Sequence, residues 1–276
     1  MHSVLFKIGP VVVRSYGVFL TVSFAAGLWL ALARAKSWKI KPELILDLFL
    51  IILLSSVFGS RFFYVIFHLQ EFAGHRWDVI NPVQSSGELG IAGLSMVGGV
   101  VLAIGLGLLY LLLKRQDVWR TADLVSPSFM LGLGITRIGC FLNGCCYGKP
   151  THSCLGVVFP YDSAAGYFNP DTPIYPTQLF HSGAGFLILF ILLWAERHKK
   201  FDGFTFWLML LLFSVQRIII DFFRYYEPEM VFTSIGPVDV SINQAALIPV
   251  VILSIILWNL FRIRITSKSK VRRSDL

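Results

Sequence analysis

Charge is what this chain has least of. Asp, Glu, Lys and Arg make up 14% of its 276 residues, against roughly 25% in an ordinary soluble domain. Together with a mean hydropathy of +0.70, that shortage excludes a soluble globular protein and implies an integral membrane one. Acidic residues are scarcer than basic ones, 16 against 24, for a net charge of +8. The basic excess is no nucleic-acid face, because it stands at the ends of apolar runs, where it sets topology. Internal repeats and low-complexity segments are absent. So are midplane carboxylates, which with the missing repeat argues against a transporter. The start, Met1-His2-Ser3-Val4-Leu5-Phe6, lacks the basic region, short apolar run and small-residue cleavage site of a signal peptide. The six histidines (among them His68, His75, His152 and His181) form no pair with metal-ligand spacing. No metal and no cofactor are therefore expected.

Long apolar runs are plentiful. Roughly 20 apolar residues span the hydrocarbon core as a helix, and seven stretches qualify: Val11–Ala33, Leu44–Phe67, Ile91–Leu113, Ala122–Leu142, Thr177–Trp194, Phe204–Phe223 and Val240–Leu260. Pro127 and its neighbouring glycines make the fourth the least regular, and charge interrupts the sixth. The expected fold is an all-α bundle of seven transmembrane helices forming one domain over residues 1–276. Arg34, Lys36, Lys39 and Lys41 follow the first run, Lys114, Arg115 and Arg120 the third, and Arg197, Lys199 and Lys200 the fifth. A basic tail, 262–276, follows the last. By the positive-inside rule these mark the cytoplasmic side, with the N-terminus outside and the C-terminus inside. The long connections near Leu69–Gly90 and 143–176 then lie outside, the second as an ordered loop or small subdomain.

Topology leaves several arginines unexplained: Arg14, Arg61, Arg137, Arg217 and Arg224. A guanidinium at bilayer depth costs roughly 2.5–3.5 kcal/mol on insertion scales, so each needs a partner. Arg14 can lie at the interface, with Tyr16 near it as a hydroxyl donor or an interfacial aromatic anchor. Arg61 and Tyr64, at i,i+3, share a helix face. Arg217, Asp221 and Arg224 fall at i, i+4 and i+7 on one stripe, and Asp221 can neutralise only one of the two arginines. Asp221 is the one clear acid inside a span near these arginines, since Asp123 sits near the opposite membrane face and Glu227 and Glu229 lie beyond the sixth run. The surplus suits an anionic lipid phosphate, which arginine can grip with two parallel hydrogen bonds. An internal ion pair is the alternative for any single arginine. The glycines opening the third run, including Gly98 and Gly99, either admit a headgroup or let helices pack closely.

With these residues in place the chain resembles the prolipoprotein diacylglyceryl transferase family nearly end to end. The resemblance rests on Arg14-Ser-Tyr-Gly17, Gly59-Ser-Arg-Phe-Phe-Tyr64, Gly93-Leu-Ser with Gly98-Gly99, Asp123-Leu-Val-Ser-Pro127 and Arg137-Ile-Gly-Cys-Phe-Leu-Asn-Gly144. Gly148, Gly156-Val-Val-Phe-Pro160, Pro176-Thr-Gln-Leu179, Arg217 with Asp221 and Arg224, and Gln244 continue it. The resemblance implies a bacterial plasma (inner) membrane enzyme with membrane lipids as its surroundings. It would move the diacylglyceryl group of phosphatidylglycerol onto the lipobox cysteine thiol of a prolipoprotein, releasing glycerol phosphate. It implies Arg137 and Arg217 at the leaving phosphate, with Tyr16, Asn143, Gly144 and Gly148 lining the site and Arg61 and Arg224 supporting it.

The chain departs from the family pattern at five positions. Val97 replaces a family His or Tyr, Cys140 an Asn, Cys145 an acid, Tyr175 a His and Phe213 a Tyr. Val97 and Phe213 can neither accept nor donate a proton. Catalysis therefore uses other groups, such as a substrate phosphate oxygen or a pocket cysteine, or the chain is a diverged paralogue that binds phospholipid or lipoprotein without transfer. All four cysteines lie between Cys140 and Cys154. In an oxidising compartment an even number favours disulfides, with Cys154 to Cys145 or Cys146 as the first pairing to test. Zinc is disfavoured for lack of paired C-x₂-C units. Cys140 and Cys145, which stand where the family has site residues, are open to a thiol role.

Overall fold

The computed structural model describes residues 4–8, 11–72, 95–227, 230–235 and 238–274. His2, Glu229, and most of the expected Leu69–Gly90 connection with His75, together with Gly93, lie outside the described residues. Seven helices among them are long and apolar enough to cross a membrane. Their outward faces carry large exposed apolar side chains, Phe58, Ile104, Phe190 and Ile252 among them, a surface that lipid rather than water must cover. The chain is a multi-pass membrane protein.

Two compact units divide the chain, Leu32–Thr121 and the remainder. The first is built on helix α2 (Pro42–Phe67) and helix α3 (Met96–Leu113). Glycine decides how closely they approach. A Cβ on Gly59 would fall 2.6 Å from the Gly98 carbonyl, and one on Gly99 would strike the Ser60 hydroxyl. At the other end Gly107 faces Leu48, so the two helices run antiparallel. Ser95 caps α3 by accepting from Gly98 N, and Tyr110 donates to Asp47 Oδ2 at 2.6 Å.

In the second unit a hairpin, β1 (Val4–Ile8) with β2 (Val11–Arg14), leads into helix α1 (Ser15–Ala35). Helix α4 (Val118–Asn143) runs unbroken through Pro127, followed by a short helix α5 (Ala164–Phe168), then α6 (Thr177–Ala195) and α7 (Phe204–Asp221). A second hairpin, β3 (Val231–Ile235) with β4 (Val238–Ser241), precedes α8 (Ile242–Ser274). Met130, Ile188, Leu189, Leu192, Leu208 and Met209 form the core shared by α4, α6 and α7. Polar ties fix the register: Ser182 donates to Gly134 O at 2.8 Å and Thr136 to Ser23 Oγ at 2.8 Å. Asp123 accepts from two amides at the start of α7, that of its N-cap Gly203 and that of Phe206, at 2.8 and 2.9 Å.

Several boundaries differ from those expected. Val11–Arg14 is strand, because three consecutive β-branched residues pair with β1 before the helix begins at Ser15. The third span starts at Met96, behind the Ser95 cap. The sixth carries its charges within the helix, where Arg217 pairs with Asp221 one turn on, and it ends at Asp221, short of the expected Phe223. The last begins at Ile242, where Ser241 and Gln244 form a reciprocal capping box (Gln244 N to Ser241 Oγ 3.1 Å, Ser241 N to Gln244 Oε1 2.8 Å).

Residues 143–176 connect α4 to α6 around a small core of Phe159, Ala165 and Ile174, with Phe141, Tyr147 and Val157 packed on it. Short backbone bridges link Gly148 to Arg224, and Pro150 and Val157 to Ile174.

Candidate functional site

Several charged and polar side chains of the second unit converge where α4, α6 and α7 meet the 143–176 connection. Arg217 is the best-anchored of them. Its Nη1 lies 3.0 Å from His181 Nε2, its Nη2 donates to the Tyr226 hydroxyl at 3.1 Å, and its Nε lies 3.4 Å from Asp221 Oδ1. A guanidinium can only donate, so His181 must present the lone pair on Nε2 and carry its proton on Nδ1. That proton meets Gln216 Oε1 at 3.1 Å. The buried His181 is thus a neutral imidazole held between α6 and α7. Asp221 also accepts from Ser241 Oγ at 3.2 Å, and Tyr226 from Asn243 Nδ2 at 3.2 Å. Burial keeps the Tyr226 phenol above its ordinary pKa, protonated beside the guanidiniums.

Each nitrogen of Arg217 thus already has a protein partner. Asp221, as expected, neutralises one arginine of its stripe and not both. Arg224 is half-buried, and its guanidinium lies 5.2 Å from the Tyr226 ring centroid. Its buried Nε has no hydrogen-bond partner among the described residues. Arg137, half-buried on α4, makes no side-chain hydrogen bond or ion pair to a described residue. Two cations therefore remain without a carboxylate partner among the described residues, and Arg137 acts electrostatically on Tyr16, Cys146, His181 and Arg217.

The turn after α4 carries the rest. Gly144 (φ +69°) and Cys146 (φ +60°) both adopt left-handed backbone, which reverses the chain within a few residues. A Cβ on Gly144 would meet Ser163, and one on Gly148 would fall 2.6 Å from Tyr175 O. Both glycines are there for close backbone packing. The Cys145 carbonyl accepts from Gln178 Nε2 at 2.8 Å and the Cys146 carbonyl from Thr177 Oγ1 at 3.0 Å. Gln178 and Thr177 are fully buried in the first turn of α6, which is the structural content of the Pro176-Thr-Gln motif.

None of the four cysteines is bonded to another, so the pairing expected for Cys154 is not formed. Cys154 is exposed, whereas the Sγ atoms of Cys140, Cys145 and Cys146 all lie within 4.8 Å of one another. The neighbouring Cys140 and Cys145 thiols, aided by Arg224 and Arg137, hold the Cys146 thiol below its ordinary pKa. Asn143 ends α4 just before this turn, and the Cys145 Sγ donates to Cys140 O at 3.7 Å.

Tyr16 is exposed at the start of α1, and Gly139 lies close to its backbone. Arg61, Gly98 and Gly99 belong to the other unit, where helix packing accounts for both glycines. Val97 is exposed and Phe213 packs edge-on against Phe129, so neither brings a proton-transfer group. Sequence reasoning missed His181, Gln216 and Tyr226. The available signal was His181 itself, an ionisable side chain inside an apolar helix.

A family model described as prolipoprotein diacylglyceryl transferase matches residues 3–260. A phosphatidylglycerol–prolipoprotein diacylglyceryl transferase of Clostridium tetani is 30% identical over 224 residues, covering 81% of this chain and 86% of that protein. The protein of the same description from Clostridium botulinum strain Loch Maree is 28% identical over 224 residues, covering 81% and 85%. A transferase of that description numbered 2, from Clostridium perfringens strain 13, is 29% identical over 225 residues, covering 81% and 84%.

Proposed function

The chain belongs to the prolipoprotein diacylglyceryl transferase family, and on that premise we propose that it transfers the diacylglyceryl group of phosphatidylglycerol to the lipobox cysteine of a prolipoprotein. It works in the bacterial inner membrane, with its N-terminus and the 143–176 connection outside and its C-terminus in the cytoplasm. The observation that supports the site assignment is the pair of arginines, Arg137 and Arg224, left without a carboxylate partner among the described residues while Asp221 is committed to Arg217. An unpaired guanidinium at membrane depth is costly, and a lipid phosphodiester supplies both the charge and the paired oxygens that a guanidinium fork fits.

In this reading Arg137 and Arg224 hold the phosphate and stabilise the charge that grows on it as glycerol phosphate leaves. Arg217 is a positioning residue, which with His181, Asp221 and Tyr226 makes the cationic wall behind the phosphate rigid. The attacking group is the thiolate of the prolipoprotein cysteine, which displaces the phosphate from the glyceryl carbon to give a thioether. A silent lipid-binding relative is not favoured, since the relatives are described as transferases across most of the shared length.

Purified protein incubated with phosphatidylglycerol and a lipobox peptide tests the proposal. A diacylglyceryl mass gain on the peptide's cysteine, absent with a serine peptide, is expected. Lipid binding with no mass gain would leave the silent relative standing instead.

A further inference from the structure

We infer that Cys140, Cys145 and Cys146 form a three-thiolate site for a thiophilic divalent cation, zinc by its chemistry, whose fourth position takes the thiol of the incoming prolipoprotein. Only the last clause rests on the transferase reading; the metal site stands on the geometry of the thiols.

The three Sγ atoms lie within 4.8 Å of one another. Zinc–sulfur bonds of ~2.3 Å in tetrahedral geometry set thiolates about 3.8 Å apart, a closure that small side-chain rotations can supply. Linear spacing hides this site, because no C-x₂-C pair announces it. It is made by the turn: left-handed backbone at Gly144 and Cys146 folds the Cys145-Cys146 pair back onto Cys140, and Cys145 N donates to Cys140 O at 3.1 Å. Gln178 and Thr177 then clamp the carbonyls of both turn cysteines from a different helix. Ligands held this way lose little freedom on binding.

Two further features select the occupant. No His, Asp or Glu joins the group among the described residues, and an all-sulfur set favours thiophilic ions over magnesium or calcium. Cys140 is buried while Cys145 and Cys146 are partly exposed, so one side stays open, as a catalytic zinc site requires. Three thiolates around a divalent ion carry one net negative charge, which Arg137 and Arg224 are placed to offset.

The site answers the want of a base at Val97 and Phe213. A thiol entering the coordination sphere gives up its proton to water and binds as thiolate. Its sulfur lone pair then forms the S–C bond to the glyceryl carbon. The C–O bond to phosphate breaks, its electron pair leaving with glycerol phosphate. No oxidant or reductant is needed.

The full-length protein in detergent, reduced and stripped of metal, is titrated with cobalt(II) and then zinc. We expect one cobalt per chain with thiolate charge-transfer absorption, abolished when zinc displaces it. With zinc bound, alkylation should label Cys154 alone; stripped, it should label all four cysteines. Cys140→Ser, Cys145→Ser and Cys146→Ser should each weaken metal binding on the order of 100-fold or more, and Cys154→Ser should not. A lipobox peptide should alter the cobalt spectrum, and its serine version should not. Absence of stoichiometric cobalt binding, equal labelling with and without zinc, or a disulfide within the trio overturns the site. Identical spectra with both peptides overturn the fourth-ligand role, as does full transfer activity in metal-free protein, which would leave the transferase reading intact. Metal and peptide binding with no transfer under any condition would instead overturn that reading and leave the site standing.

Discussion

His181 Nε2 stands 3.0 Å from Arg217 Nη1, a neutral imidazole serving as acceptor to a guanidinium between two membrane helices. The proton on Nδ1 is spent on Gln216, so protonation of His181 would set two cations against each other. Replacing it by Phe should leave Arg217 one partner short. A buried hydrogen bond to a charged group is worth about 1.5–3 kcal/mol, and thermal unfolding in detergent should fall accordingly. His181→Gln, whose amide oxygen can accept from Arg217, should recover part of that loss. Equal stability of the Phe variant and the wild type would show that the contact contributes nothing.

Arg137 and Arg224 should behave differently from Arg217 on conversion to Lys. Lysine keeps the charge and loses the fork. For Arg137 and Arg224, which have no carboxylate partner among the described residues, the loss should fall on the lipid: about tenfold weaker phosphatidylglycerol binding, or ~1.4 kcal/mol, with little change in stability without lipid. For Arg217 it should fall first on stability, because His181, Tyr226 and Asp221 lose their shared partner. Lipid titration by native mass spectrometry alongside thermal unfolding separates the two patterns. If Arg217→Lys loses lipid and keeps its stability, the roles are reversed.

Much of this was legible in the sequence because lipid leaves the chain few choices. Apolar length announced all seven spans, and the spacing of Arg217, Asp221 and Arg224 announced that Asp221 could neutralise only one of the two arginines. What stayed hidden depends on contacts between distant segments. His181 and Tyr226 are far apart along the chain and meet only through Arg217. The cysteine cluster depends on two left-handed residues, one of them Cys146, for which nothing in the residue type signals that conformation. Gly98 and Gly99 read equally well as a headgroup platform or a helix seam. Gly59, on the partner helix, decides for the seam.

That seam carries its own prediction. A methyl group on Gly59 would sit 2.6 Å from the Gly98 carbonyl and 2.8 Å from Leu102 Cβ, neither of which can yield without moving a helix. Overpacking of this kind costs about 1–3 kcal/mol. Gly59→Ala should lower the unfolding temperature, whereas Gly105→Ala on α3, where a Cβ has nothing within 4 Å, should be neutral or slightly stabilising. Melting curves for the two variants check this, and the same result from both would remove the packing argument.

Asp123 gives the sharpest separation of stability from chemistry. Its buried carboxylate takes the Gly203 and Phe206 amides on separate oxygens and Lys199 Nζ at 3.0 Å. Asp123→Asn must turn an NH₂ group toward one of those donors, leaving it unsatisfied at about 1–3 kcal/mol. Lys199 also holds the exposed Asp202 at 2.6 Å, so it keeps a partner, and Asp202→Asn, breaking only a surface pair, should cost under ~1 kcal/mol. Asp123 lies in the first turns of α4, about 20 Å along that helix from Arg137 at 1.5 Å per residue. Transfer per folded molecule should therefore match the wild type in Asp123→Asn even as its melting temperature drops. Activity lost in proportion beyond the folded fraction would mean that Asp123 does more than hold the start of α7 in place.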